Sequence, residues 1–226
     1  MVKLEAAPMR GGRQLILPLL AALTLLIAGC GGGSASADHP TATATPSPTP
    51  VPRVLYQANW TKDASAWKLA PGWKIASTGL SNDGSSATSV YIPYTPTASK
   101  YTIEIVMRLD DVVGKAACGN TYGLQGQTEA GDAVYFAVIA CVDHQFHGWS
   151  EIYSATYSHS MSTYDFTPGR SSRAYTIVVD GPYVTYLLNG AELGTVQCDR
   201  PTSPNHLLLM NIGVKTEIQS ITITTP

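Results

Sequence analysis

The chain has 226 residues, of which 44% are hydrophobic and 13% charged, with 14 basic and 16 acidic side chains. That is enough for one sizeable domain with accessory segments. It excludes a polyanion-binding surface: neutralising a phosphate backbone takes clustered lysine and arginine, and after Arg53 the basic residues come one at a time, so nucleic acid is not an expected partner.

Residues 1–13 carry a basic flank of Lys3, Arg10 and Arg13, and residues 15–28 (LILPLLAALTLLIA) are apolar and uncharged. A bilayer core takes roughly 20 apolar residues, whereas the core of an export signal takes about 7–15, so the run reads as a signal peptide over residues 1–29. An uncleaved membrane helix is the alternative, disfavoured by length and flanks. The run stops at Ile27-Ala28-Gly29-Cys30, which resembles the lipobox of bacterial lipoproteins. That resemblance implies cleavage before Cys30, diacylglycerol on its thiol and acylation of the new N-terminus, placing the protein outside the cytoplasm with the bacterial cell membrane as a partner. Two or more acyl chains hold firmly where one holds only marginally.

From residue 30 to 53 the composition turns to Gly, Ser, Thr, Ala and Pro without an aromatic residue. Such a segment buries too little surface to offset its ordering entropy and reads as a disordered linker. Its proline-rich part favours extended conformations at about 3.1 Å per residue, which makes it a spacer.

Residues 54–226 lack a helical apolar stripe and show alternation instead. In YTIEIVMRL, Tyr101, Ile103, Ile105, Met107 and Leu109 share one strand face, with Thr102, Glu104, Val106 and Arg108 on the other. The run AVYFAVIACV (133–142) is apolar on both faces, as in a strand at the middle of a sheet. Residues 173–197 read as a three-stranded meander with turns at Asp180-Gly181 and Asn189-Gly190, and SITITT (220–225) alternates again. Ten to twelve short strands are expected, in an all-β, two-sheet antiparallel jelly-roll sandwich.

The segment YTIVVDGPYVTYLLNG (175–190) resembles the penultimate hairpin of concanavalin A-like lectin and glucanase jelly rolls, including laminin-G-like domains and the 3-keto-disaccharide hydrolase group. Trp67, Gly72, Trp73, Gly79 and Leu80 are similar to the short first strands of the same group. The resemblance implies the fold and, as a functional expectation, a module that binds carbohydrate or a wall polymer. A glycan-active hydrolase, or a surface domain with a protein partner, are the alternatives it leaves open.

The chemistry for hydrolysis is thin. Retaining glycosidases place two carboxyl groups about 5–5.5 Å apart, and the E-x-D-x-x-E strand of the glucanase branch is missing: Glu151 opens EIYSATY, but no acid follows at the second or fourth position. Asp110 and Asp111 are expected on opposite faces of a strand end. No Gly-x-Ser-x-Gly elbow occurs. Asp143, His144 and His147, with His159 further on, have ligand chemistry for a divalent metal but no established ligand spacing. No cofactor is expected otherwise; a structural calcium would sit in SNDGSS (81–86) or at Asp110-Asp111, where an ordinary turn is the simpler reading.

A binding face is easier to place. Glu151, Tyr153, Ala155 and Tyr157 share one face of their strand, Trp149 precedes them, and aromatic rings stack on sugars; Glu104 and Arg108 are candidates for the accompanying hydrogen bonds. Trp60, Trp67 and Trp73 are expected in the core. If TYGLQGQ and VYFAVIACV form a hairpin centred near Ala130, Cys118 lies beside Cys141; that is the expected pair among the connectivities that Cys118, Cys141 and Cys198 leave open, and its bridge would contribute about 3.5 kcal/mol in the chain-entropy model. Cys198 is left outside that pairing, buried or free.

Overall fold

The computed structural model describes residues 51–115, 117–154, 159–166, 170–198 and 204–225. Cys30, most of the linker and Tyr157 lie outside the described residues. In chain order the strands are β1 (Val54–Gln57), β2 (Trp73–Ala76), β3 (Gly79–Asn82), β4 (Thr88–Tyr91) and β5 (Lys100–Val112). They continue with β6 (Thr121–Gln127), β7 (Ala133–Ala140), β8 (Gly148–Ser154), β9 (His159–Phe166) and β10 (Arg173–Asp180). The last four are β11 (Tyr183–Leu188), β12 (Ala191–Gln197), β13 (His206–Ile212) and β14 (Val214–Thr224). Among the described residues the helical elements are the 3-10 turns Ala64–Ala66 and Ala117–Gly119.

The strands form two antiparallel sheets. The larger runs β12-β11-β10-β5-β14-β3-β2, with β1 also paired to β14, and the smaller runs β4-β13-β6-β7-β8-β9. This is the expected jelly-roll sandwich, with more strands than the ten to twelve read from the sequence because short strands such as β1 and β4 lack a full alternating period.

Strand β5 is the spine of the larger sheet, paired to β10 on one side and β14 on the other. Tyr101, Ile103, Ile105, Met107 and Leu109 all turn into the core with 4% exposure or less. One detail departs from strict alternation. A register shift opposite Lys215 and Thr216 inserts an extra residue, so Leu109 and Val112 both stay in the core while Asp110 and Asp111 are both left outside it. The expectation that the two aspartates face opposite ways fails because a β-bulge changes the face of every residue after it.

The meander β10-β11-β12 forms as read, with Asn189 and Gly190 at φ 48° and 81° in the second turn. The Asn189 side-chain oxygen accepts from the Ala174 amide at 2.9 Å, which ties that turn to the start of β10. Trp60, Trp67 and Trp73 lie in the core as expected, and the Trp60 and Trp73 indoles donate to the Gln219 carbonyl at 2.8 Å and to Thr88 Oγ1 at 3.0 Å. These bonds matter because a buried N–H left without an acceptor costs about 1–3 kcal/mol.

Hairpin β6-β7 turns around residues 128–132, and its register carries Cys118 to Cys141, with which it forms the expected disulfide. Cys198 is buried, with its thiol 3.9 Å from the Val134 carbonyl.

Candidate functional site

The sandwich has two outward faces, and the residues singled out from the sequence divide between them. Glu104 and Arg108 project from the outer face of the larger sheet, since their neighbours Ile103, Ile105, Met107 and Leu109 point inward. The Arg108 guanidinium is held by Glu217 across the β5-β14 pair and by Asp110 at 3.0 Å. Trp149, Glu151 and Tyr153 project from the outer face of the smaller sheet, because Ile152 on the same strand is in the core. The structure therefore does not bring Glu104 and Arg108 together with the aromatic residues. Strand periodicity groups residues along one strand but does not say which sheet the strand joins.

The outer face of the smaller sheet is more developed than the sequence suggested. Its register places Tyr91, Leu208, Gln125, Phe136 and Tyr153 in one line across β4, β13, β6, β7 and β8. At about 4.8 Å per strand, such a line is roughly 19 Å long. The alternating residues Val90, Leu207, Leu209, Leu124, Tyr135, Ala137 and Ile152 belong to the core, which fixes the opposite set as outward.

Within this face Phe136 and Tyr153 stack with centroids 4.5 Å apart and planes at 22°. Tyr91, 44% exposed, meets the His206 ring edge-on at 5.3 Å, and its hydroxyl donates to Gln127 Oε1 at 3.3 Å. Gln125 is 8% exposed, so its amide is held in a largely dry setting. The next row holds Met210, Gly123, Val138 and Glu151. Gly123 is buried in that row, and a Cβ there would run into the Ala137 carbonyl.

Glu151 accepts a hydrogen bond from the Trp149 indole N–H at 2.7 Å, so the two outward side chains fix each other. Burial, and next the charge of Glu151, push the Tyr153 hydroxyl above its ordinary range. Among the described side chains of this face Glu151 is the one acid, so the pair of carboxyl groups that retaining hydrolysis needs is not assembled from them. At the end of β13, Ile212 lines both the face and a cleft of about 410 Å3, whose other walls include Ser86, Val113, Lys115 and Asn120.

The metal candidates sit in turns whose polar atoms are already engaged. Asp143 Oδ1 accepts from the amides of Gln145 at 2.8 Å and His147 at 2.9 Å, and Oδ2 lies 3.2 Å from His147 Nδ1. Desolvation pushes the Asp143 carboxyl up, but the hydrogen bonds from His147 and Gln145 outweigh it and hold the group below its ordinary range. His144 is exposed. In the 81–86 loop, Asn82 Oδ1 accepts from the Gly84 amide at 2.7 Å and Asp83 Oδ1 from the Ser85 amide at 2.9 Å, which is the chemistry of an Asx turn. Hydrogen bonds from Ser85 hold the Asp83 carboxyl below its ordinary range. Among the described residues no group of three His, Cys, Asp or Glu side chains converges to hold a metal ion.

Tyr91, Gln125, Gln127, Phe136 and His206 were not singled out from the sequence. Phe136 was signalled by the two-faced apolar run of β7, whereas Tyr91 and His206 meet only through the pairing of β4 with β13, far apart in the chain.

No protein-family model and no curated protein sequence matches the chain. Solved structures do resemble it. A Crh5 transglycosylase solved in complex with NAG superposes with a TM-score of 0.56 at 14% identity, covering 75% of this chain and 83% of that one. The carbohydrate recognition domain of Emp46p, in its metal-free form, superposes with a TM-score of 0.54 at 12% identity, covering 72% and 89%. A Bacillus licheniformis β-glucanase gives 0.51 at 11% identity, covering 70% and 83%. The chain has the concanavalin A-like jelly-roll fold of lectins and glucanases.

Proposed function

We propose that this protein is a lipid-anchored, extracytoplasmic carbohydrate-binding module whose binding surface is the outer face of the smaller sheet. The observation that carries the reading is the line of Tyr91, Gln125, Phe136 and Tyr153 across that sheet, flanked by Trp149, Glu151, Gln127 and His206. Aromatic faces take the apolar faces of sugar rings, while glutamine amides and a carboxylate donate to or accept from hydroxyls. A carbohydrate recognition domain, a glucanase and a transglycosylase share the fold, which supports the ligand class. Glu151 as the single acid among the described side chains of this face favours binding over hydrolysis.

The test is a glycan array probed with the protein, followed by titration of the best oligosaccharide. Phe136→Ala and Tyr153→Ala are expected to weaken binding about tenfold each; failure of every glycan to bind would reject the reading. The anchor rests on Ile27-Ala28-Gly29-Cys30. Mass spectrometry of the mature N-terminus is expected to show acylated Cys30, and an intact residue 1–29 segment would refute it.

A further inference from the structure

We infer that Trp149, Glu151 and Tyr153 form a subsite for an ammonium group, so that the preferred ligand is a glycan bearing free amines, as in a de-N-acetylated amino-sugar polymer. The inference rests on the glycan reading of this face and adds the chemical class of the ligand.

The three side chains project from successive outward positions of β8, about 6.8 Å apart along the strand. A carboxylate with an aromatic ring on either side is a cation-binding arrangement: the carboxylate supplies charge, and each ring face attracts a cation within about 6 Å of its centroid. The indole N–H takes one carboxylate oxygen at 2.7 Å and sets its orientation. An ionised carboxylate accepts several hydrogen bonds, so an ammonium group with its three donors can share it with the indole.

The surroundings strengthen the attraction. Phe136 stacks on Tyr153 at 4.5 Å, and Val138, paired with Glu151, is 2% exposed, so the carboxylate stands on an apolar floor where charge is less screened than in water. Burial first, and the charge of Glu151 second, raise the hydroxyl of Tyr153 at the next outward position of the strand. Among the described side chains of this face there is no lysine or arginine to neutralise Glu151. A glycan rich in carboxylate or sulfate would meet like charge here, and a neutral one would gain only stacking and hydrogen bonds.

The experiment compares glucosamine oligomers with fully N-acetylated oligomers of the same length by calorimetric titration against the protein and Glu151→Gln. Glutamine keeps the shape and can still accept from the Trp149 indole, and a thermal melt of each variant checks that it is folded. The expected result is about tenfold tighter binding of the amine oligomer by the unsubstituted protein, a preference that shrinks as salt is raised. In Glu151→Gln the preference disappears, because the amine oligomer loses more affinity than the acetylated one. Equal binding of the two oligomers, or a preference that survives Glu151→Gln, overturns the inference. Binding of neutral glycans alone would overturn it and leave the glycan reading standing, whereas no glycan binding at all removes both. Binding of lysine-rich peptides in place of the oligomers would assign the subsite to a protein ligand and also overturn it.

Discussion

The Tyr122 hydroxyl on β6 lies 2.7 Å from the Tyr175 hydroxyl on β10, joining the two sheets by a hydrogen bond through the core. The rings meet edge to face, 5.7 Å between centroids at 85°, and each residue is 1% exposed. A polar contact here holds because each hydroxyl satisfies the other where water does not reach.

Removing one partner should therefore cost more than removing both. Tyr122→Phe or Tyr175→Phe is expected to destabilise by about 1–3 kcal/mol, because the remaining hydroxyl loses its buried partner. The double variant should cost clearly less than the sum. Urea unfolding of the four proteins measures the coupling, and strict additivity would show that the two hydroxyls act independently.

Alkali should unfold the domain through its buried tyrosines. Burial raises the Tyr175 hydroxyl to about 12, offset in part by the hydrogen bond with Tyr122, and pushes Tyr101, Tyr122, Tyr135 and Tyr186 up as well. An unfolded tyrosine titrates near pH ~10. Above that the unfolded chain sheds protons that the folded chain keeps, so stability is complete below pH ~10 and falls as pH rises toward the folded values. Urea midpoints followed from pH ~8 to ~12 should drop steeply over the upper half of that range, with tyrosinate absorbance rising together with unfolding. A flat profile would contradict the assigned burial.

The Cys118–Cys141 bridge closes a loop with a sequence separation of 23. Replacing both cysteines with serine is expected to cost up to about 3.5 kcal/mol, or roughly 7–14 °C in Tm for a domain of this size. Scanning calorimetry of the two proteins checks this, and an unchanged Tm would mean that the bridge adds nothing to the hairpin.

Arg108 sits in a partly exposed network with Asp110 and Glu217, its side chain 42% accessible. Arg108→Ala should therefore change stability by less than about 1 kcal/mol. Because it lies on the other outward face, glycan affinity should stay unchanged under Arg108→Ala and Glu104→Ala, in contrast to Phe136→Ala. Titration of one oligosaccharide against the three variants decides this, and a loss of affinity in Arg108→Ala would move the binding surface to the larger sheet.

Much of the fold was legible in residues close together in the chain. The alternation of Tyr101 to Leu109 marked β5 and its buried face, Asn189-Gly190 marked a hairpin turn, and the spacing of Cys118 and Cys141 about Ala130 marked their bridge, because period two and turn chemistry are local properties. The bulge at Asp110-Asp111 escaped that reading, since it is created by the register against β14 rather than by the sequence of β5.

The candidate site was legible only in part. The outward set of Trp149, Glu151 and Tyr153 follows from alternation along β8, but their union with Phe136, Gln125 and Tyr91 follows from pairing strands in the order β4-β13-β6-β7-β8. The sequence by itself determined an all-β chain, the face that side chains share along the unbulged stretches of a strand, and the turns that join the strands. Only the tertiary structure decided that β5 and β8 belong to different sheets, turning Glu104 and Arg108 away from Tyr153, because sheet membership is set by long-range pairing and a shared core.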